Sequence, residues 1–129
     1  MSTDNVDQLR NGYEAFKRRD MPVIFNLFDD EIVFYQSELL PWGGKYHGLQ
    51  GVKEFFAKLL HHIDSQVDPQ QFVEAGDSVV VIARLHGRVR VNNKPFDLSA
   101  VHVWTFRNGK AVRFEVYIDT PQMLQALEG

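Results

Sequence analysis

The chain has 129 residues, a length that allows a single domain. Its 14 Lys and Arg residues against 17 Asp and Glu residues give a net charge of −3, so it lacks the basic excess of a nucleic-acid-binding protein. Hydrophobic residues make up 44% of the chain and Cys is absent, which predicts an ordered core without disulfides. The longest aliphatic run, Val79 to Ala83, is too short for a membrane span, and the start lacks the apolar stretch of a signal peptide. We therefore expect a soluble, cytoplasmic protein.

The N-terminal segment is predicted to form two helices. Apolar residues at steps of three and four predict an amphipathic helix from about Asp4 to Arg19. Asp20 can cap a second, shorter helix, because Pro22 then falls in the first turn, where its missing amide proton would be unpaired anyway. The apolar stripe of the first helix consists of Val6, Leu9, Tyr13 and Phe16.

A strand, a loop and a third helix follow in the chain. Alternation from Glu31 to Ser37 predicts a strand with Phe34 and Gln36 on one face. The glycine-rich segment from Leu40 to Gly48 is predicted to be a loop. After it, the clearest apolar stripe in the chain predicts a helix from Leu49 to Ile63.

The second half of the chain is predicted to form a sheet. Asn108-Gly109 is a strong hairpin signal because both positions of the turn favour positive φ, so the strands are predicted to be sequential and antiparallel. Thr120-Pro121 predicts the start of a short terminal helix. The four segments rich in Val, Ile and Phe that read as strands are Gln66–Glu74, Ser78–Val91, Pro95–Arg107 and Ala111–Asp119.

The order of these elements predicts an α+β fold. Helices that mostly precede an antiparallel meander pack on one face of that sheet. We therefore expect residues 1–129 to form one domain, in which a curved antiparallel sheet wraps around three helices. The core and any cavity are expected on the face that the helices cover.

Several segments together resemble one protein family. In their order and spacing the chain resembles the SnoaL-like and ketosteroid-isomerase-like branch of the nuclear-transport-factor-2-like superfamily. The resemblance implies a cystatin-like cone with a deep central pocket, and a homodimer formed through the convex face of the sheet. The segments are Arg18-Arg19-Asp20-Met21, Leu27 to Ile32, Gly44 to Gly48, Gly109-Lys110 and Ile118-Asp119.

The catalytic positions of the family are only partly matched. Ketosteroid isomerases carry a Tyr on the first helix, an Asp base on the first strand and a second acid on the penultimate strand. These positions fall on Gly12, with Tyr13 one residue away, on Gln36 and on His102. An amide cannot take up a proton, so the carboxylate base is missing. SnoaL-like cyclases instead use a His and an Asp late in the chain, which here match His102 and Asp119.

His102 is the first candidate for a catalytic residue. It alternates with Ala100, Trp104 and Phe106, so it faces the core if those aromatic side chains do. An imidazole in an apolar pocket stays neutral near pH 7, because desolvation disfavours its charged form, and it can then accept a proton. The alternative is a core histidine that is hydrogen-bonded to a neighbour.

Asp119 and Gln36 are the other predicted catalytic residues, and each has a structural alternative. Asp119 either acts at the pocket rim or caps the terminal helix, and the alternation of its strand points it outward. Gln36 is a lone amide on a buried face, where it either donates to a bound oxyanion or makes a structural hydrogen bond to a loop.

Aromatic residues are predicted to form the wall of the pocket and to bind an apolar substrate. Trp42 and Tyr46 lie in the glycine-rich loop, where they either form a lid or simply cover the core. The predicted substrate-binding residues are Phe16, Phe28, Phe34, Trp42, Tyr46 and Trp104.

The sequence predicts no cofactor and no metal site. Its five His residues lack the spacing of metal ligands, and no glycine-rich phosphate loop occurs. The leading hypothesis is a small-molecule enzyme that performs cofactor-free isomerisation, cyclisation or dehydration on an apolar carbonyl compound. The alternative is a non-catalytic ligand-binding or dimerisation module. Val101 and Val103 on the convex face predict a homodimer, and no nucleic-acid or membrane partner is expected.

Overall fold

A computed structural model gives the fold of residues 2–129, with side chains described from Asn5 onward. The helices are α1 (Ser2–Lys17), α2 (Met21–Phe25), α3 (Gly48–His62) and α4 (Thr120–Glu128). The strands are β1 (Phe28–Gln36), β2 (Gly44–His47), β3 (Ile63–Ala75), β4 (Ser78–Val89), β5 (Pro95–Arg107) and β6 (Lys110–Ile118).

The strands form one curved, unclosed sheet in the order β2-β1-β6-β5-β4-β3. As predicted, β3 to β6 form an antiparallel meander, and the α+β class is confirmed. β1 lies parallel to β6, with Gln36 opposite Val116, and β2 is antiparallel to β1. Periodicity predicts which residues form strands but not which strands pair, so the sequence did not reveal this parallel contact.

The segment from Leu40 to Gly48 was predicted to be a loop, and this prediction is wrong for its second half. Residues Gly44 to His47 form β2, in which Tyr46 lies opposite Phe34 of β1. Four residues with a glycine at one end carry too little alternation for a strand to be predicted. The pairing with β1 stabilises the extended conformation of these residues, which their local propensity alone does not.

The boundary between α3 and β3 also differs from the prediction. α3 ends at His62 and β3 starts at Ile63, three residues before the predicted strand. Residues Ile63, Ser65 and Val67 alternate toward the concave face and are buried. This shift places Ser65 on the inner wall of the sheet.

The helices cover the concave face of the sheet, where the aromatic core lies. α1 packs against β3, and α3 packs against β1 and β2. Along β5 every second side chain is buried, as expected for a strand with one covered face. Interlocked rings fill the centre, with Phe114 at 4.0 Å from Trp104 and 4.6 Å from Phe34 between ring centroids.

The end of α1 is fixed to β3 by one arginine. Arg19 adopts a left-handed backbone conformation, with φ of 57°, that terminates the helix region. Its guanidinium donates to the carbonyl oxygens of Phe16 and Ser65, and it lies 3.5 Å from a carboxylate oxygen of Asp64. These contacts hold α1 at a defined height over the sheet.

The outer, convex face of the sheet carries an apolar row. Ile82, Val101 and Tyr117 lie side by side across β4, β5 and β6. Ile82 is 39% exposed and Tyr117 is 47% exposed, so the row is open to solvent in a single chain.

None of the helices between Ser2 and Gly129 has both the length and the apolar character of a membrane span.

We propose that this apolar row binds a second copy of the chain. Light scattering at micromolar concentration is expected to give a mass of about 30 kDa, twice the chain mass of 14.9 kDa. Val101→Lys places a charge in the middle of the row and is expected to give a monomer. A wild-type mass near that of one chain would refute the proposal.

The close approach at Gly43 gives a test of the β1–β2 connection. A Cβ atom there would overlap the carbonyl oxygen of Ser37, a backbone atom that cannot rotate away. Gly43→Ala is expected to lower the free energy of unfolding by about 1 to 3 kcal/mol. Gly12→Ala is the control. The new Cβ atom would meet only the movable end of the Leu27 side chain. Gly12 lies in α1, and Ala is more favourable than Gly inside a helix. Equal urea midpoints for the two variants would contradict this assignment.

Candidate functional site

A cavity of about 90 Å³ lies between the concave face of the sheet and the helices. This volume is several times the roughly 10 to 15 Å³ that one water requires. No Asp, Glu, Lys or Arg of the described residues lines the cavity, and most of its wall is apolar. The polar side chains on its wall belong to Tyr13, Gln36, Trp42, Ser65, His102 and Trp104.

A chain of two hydrogen bonds joins α1 to β5 at this cavity. Trp104 Nε1 donates to the hydroxyl oxygen of Tyr13 at 3.0 Å. The same oxygen lies 2.6 Å from Nδ1 of His102, and the two rings stack with their centroids 5.7 Å apart. All three side chains are buried.

The donors and acceptors in this chain follow from the chemistry of its members. An indole N–H can only donate, so the Tyr13 oxygen accepts from Trp104. Within the described structure, the acceptor in reach of the Tyr13 hydroxyl hydrogen is Nδ1 of His102. When Tyr13 donates this hydrogen, the proton of the neutral imidazole resides on Nε2, whereas in the other tautomer Nδ1 donates to Tyr13 and Nε2 carries a lone pair. Nε2 of His102 is therefore a donor in one tautomer and an acceptor in the other.

Burial keeps both titratable groups of this chain neutral at pH 7. Desolvation lowers the pKa of His102 from its ordinary value of 6.5 to about 4. Desolvation raises the pKa of Tyr13 above its usual range, and the hydrogen bond from Trp104 opposes only part of this effect. The site therefore acts through neutral hydrogen-bonding groups.

Gln36 presents a second neutral donor. Trp42 Nε1 donates to its side-chain oxygen at 3.0 Å, which fixes the amide orientation and leaves the NH₂ group for other partners. Gln36 and His102 both lie opposite Val116 of β6, on the same face of the sheet. They are separated by two strand spacings, or about 10 Å at the level of the backbone.

The structure places only some of the predicted aromatic residues on the cavity wall. Phe16, Trp42 and Trp104 line it, together with the predicted His102 and Gln36. The other three, Phe28, Phe34 and Tyr46, are buried in the core behind the wall. Trp42 is fully buried rather than at a mouth, so it is part of the wall and not a lid.

Asp119 lies away from the cavity. Its side chain is exposed and accepts a hydrogen bond from the backbone amide of Gln122 at 3.2 Å, as an N-cap of α4 does. It follows the last residue of β6, where alternation points it outward. The structure thus places Asp119 in the capping position, the alternative that the sequence left open, and not on the cavity wall.

Two polar residues of the wall were not among the predicted site residues. Tyr13 carries the only hydroxyl on the apolar stripe of α1, and that hydroxyl is the sequence signal by which it could have been found. Ser65 was missed because the predicted strand began one residue later. Among the side chains described from Asn5 onward, no three His, Asp or Glu come together as a metal site requires.

Comparison with known proteins places the fold. The chain matches the SnoaL-like domain over residues 9–114, a range that includes every polar wall residue and ends before Asp119. An NTF2-like protein of unknown function from Burkholderia pseudomallei K96243 is 32% identical over 98% of both chains, with a TM-score of 0.92.

Two further solved structures are similar over nearly their whole length. TerC, co-crystallised with polyporic acid, is 29% identical over 98% of this chain and 99% of that chain, with a TM-score of 0.89. A putative isomerase from Bacillus subtilis shares the fold at 20% identity over 98% and 94% of the chains, with a TM-score of 0.83. No protein of curated function matches the chain. The resemblance stated from the sequence is confirmed, and the chain belongs to the SnoaL-like domain family of the NTF2-like superfamily.

Proposed function

We propose that the protein binds an apolar carbonyl compound in this cavity and catalyses cofactor-free proton transfer in it, as an isomerase, cyclase or dehydratase does. The observation that carries the proposal is that two neutral polar side chains, His102 and Gln36, lie on one wall of a cavity that no charged side chain of the described residues lines. Buried donors require acceptors. A carbonyl oxygen, or the enolate oxygen that forms from it, is such an acceptor.

Tyr13 allows His102 to act as a base as well as a donor. Its hydroxyl can donate to Nδ1, or it can accept from Nδ1 and turn its own hydrogen toward the substrate. In the second arrangement Nε2 of His102 has a free lone pair, which can take a proton from the carbon beside the carbonyl. The Tyr13 hydroxyl and the Gln36 amide then donate to the enolate oxygen.

The low pKa of His102 restricts the substrates that this mechanism can use. A base whose conjugate acid has a pKa of about 4 abstracts protons efficiently only from activated carbon acids. The known co-crystal of TerC with polyporic acid, an aromatic carbonyl compound, supports this choice of ligand class. We therefore expect an apolar compound with an acidified carbon or enol and modest turnover.

Non-catalytic binding of the same ligand class is the second candidate function. It is favoured by the lack of a carboxylate among the described wall residues and by the engagement of Nδ1 with Tyr13. Both functions require the same hydrogen-bond donors. Only the proton-transfer step separates them.

Hydrogen exchange in a carbonyl probe distinguishes the two functions. With 2-indanone in D₂O, the protein is expected to accelerate exchange at the carbon beside the carbonyl, as followed by NMR. His102→Gln is expected to slow the catalysed exchange by at least about 100-fold, because the general base is removed. Asp119→Asn is the control and should leave the rate unchanged, because Asp119 lies outside the cavity. Binding of 2-indanone without any exchange would favour the non-catalytic function.

The buried neutral state of His102 predicts a pH-dependent stability. Its pKa in the folded chain, about 4, lies below the ordinary value of 6.5, so the unfolded chain binds the proton more readily. The stabilisation is complete above pH 6.5 and is lost as the pH falls toward 4, by about 3 kcal/mol in total.

The matched variant for this measurement is His102→Gln, which cannot titrate but can still accept a hydrogen bond from Tyr13. Between pH 7 and pH 4, the wild-type free energy of unfolding in urea is expected to fall by about 3 kcal/mol more than that of the variant. Parallel pH profiles for the two proteins would show that His102 is not buried in its neutral form.

A further inference from the structure

We propose that Ser65 is a specificity-determining residue that binds a second polar group of the ligand, at the end of the apolar body remote from the carbonyl held by His102 and Gln36. This inference rests on the proposed function, since it places a ligand in the same cavity. It predicts that the substrate carries a second hydroxyl or carbonyl group at the end remote from the first carbonyl.

The Ser65 hydroxyl is a polar group without a protein partner. Ser65 lies on the inner face of β3 between the buried Ile63 and Val67, and only 1% of it is exposed. It lines the cavity, and its Oγ makes no hydrogen bond to any described residue. A buried hydroxyl normally finds a partner, so a ligand group is the natural acceptor or donor here.

The backbone around Ser65 is fixed, so the strand cannot move to satisfy the hydroxyl. The guanidinium of Arg19 donates to the Ser65 carbonyl oxygen and also pairs with Asp64. On the other side β4 approaches closely at Gly87, where a Cβ atom would lie 2.8 Å from Cα of Ser65. The backbone that carries the hydroxyl therefore has a defined position on the wall.

Strand register places Ser65 far from the His102 end of the cavity. His102 lies opposite Val81 of β4, whereas Ser65 lies opposite Gly87 of the same strand. Six residues of β4 separate these two positions, so the two polar groups lie at different ends of the cavity. The side chains between the two ends, such as Leu85 and Val67, are apolar. This arrangement matches an elongated apolar compound with a polar group at each end.

Chalcone and 4-hydroxychalcone form a matched pair of probes for this inference. Both are elongated aryl ketones, and they differ only in a distal hydroxyl. Trp42 and Trp104, which are the two tryptophans of the chain, both line the cavity, so quenching of their fluorescence reports binding. The wild type is expected to bind 4-hydroxychalcone about 5-fold more tightly than chalcone.

Ser65→Ala is expected to abolish this preference and to leave the affinity for chalcone unchanged. Ser78→Ala is the control, because Ser78 pairs with Thr105 outside the cavity, and it should keep the preference. Equal preference in the wild type and Ser65→Ala would overturn the role of Ser65 while leaving the proposed function intact. If neither chalcone quenched the tryptophans, the proposed function would fail, and this inference with it.

Thermal unfolding separates a ligand-binding hydroxyl from a structural one. Removing an unpartnered buried hydroxyl relieves a desolvation penalty, so Ser65→Ala is expected to raise the melting temperature by about 4 °C. A lower melting temperature would show that the hydroxyl stabilises the folded chain, and it would overturn the proposal.

Discussion

The rule that a buried polar atom must have a partner organises the centre of this molecule. The hydroxyl oxygen of Tyr13 lies among aromatic rings, where the indole N–H of Trp104 and Nδ1 of His102 are its partners. These contacts link α1 to β5 across 89 and 91 positions of the chain. A shift of α1 along the sheet would leave all three polar groups unpaired, so the cavity below the helix has a fixed shape. Packing alone permits more sliding than hydrogen bonds of this kind do.

Much of the fold is legible in the sequence because its signals are local. The apolar stripes of α1 and α3 and the turn at Asn108-Gly109 depend only on residues close in sequence. The alternation around His102 also correctly places that side chain on the covered face of the sheet. The features that escaped prediction depend on distant partners. β2 forms because β1 pairs with it. Ser65 can be assigned to the cavity wall only when the end of α3 and the start of β3 are known. Asp119 suits a catalytic position by order in the chain, but its geometry is that of a cap.

The site differs from an ordinary acid–base centre because no charged side chain of the described residues lines it. Its polar groups are an imidazole, a phenol, an amide and a hydroxyl, each held neutral by burial or by nature. Hydrogen bonds from such groups discriminate by geometry, because a ligand without the matching oxygen leaves them unpaired in an apolar surrounding. Under the proposed function, affinity for the apolar body of a ligand and selectivity for its oxygens come from different parts of one wall.

The parallel contact between β1 and β6 governs the order in which the molecule can assemble. The first strand pairs with the last one only after α3 and the four strands between them in the chain have formed or at least collapsed, and such non-local pairing slows folding. Until β6 is in place, Gln36 and His102 have no common neighbour, because Val116 stands between them. During synthesis the sheet therefore stays incomplete until β6 leaves the ribosome, because β6 joins β1 to β5. Chain lengths that stop short of β6 should expose the aromatic core and depend on chaperones.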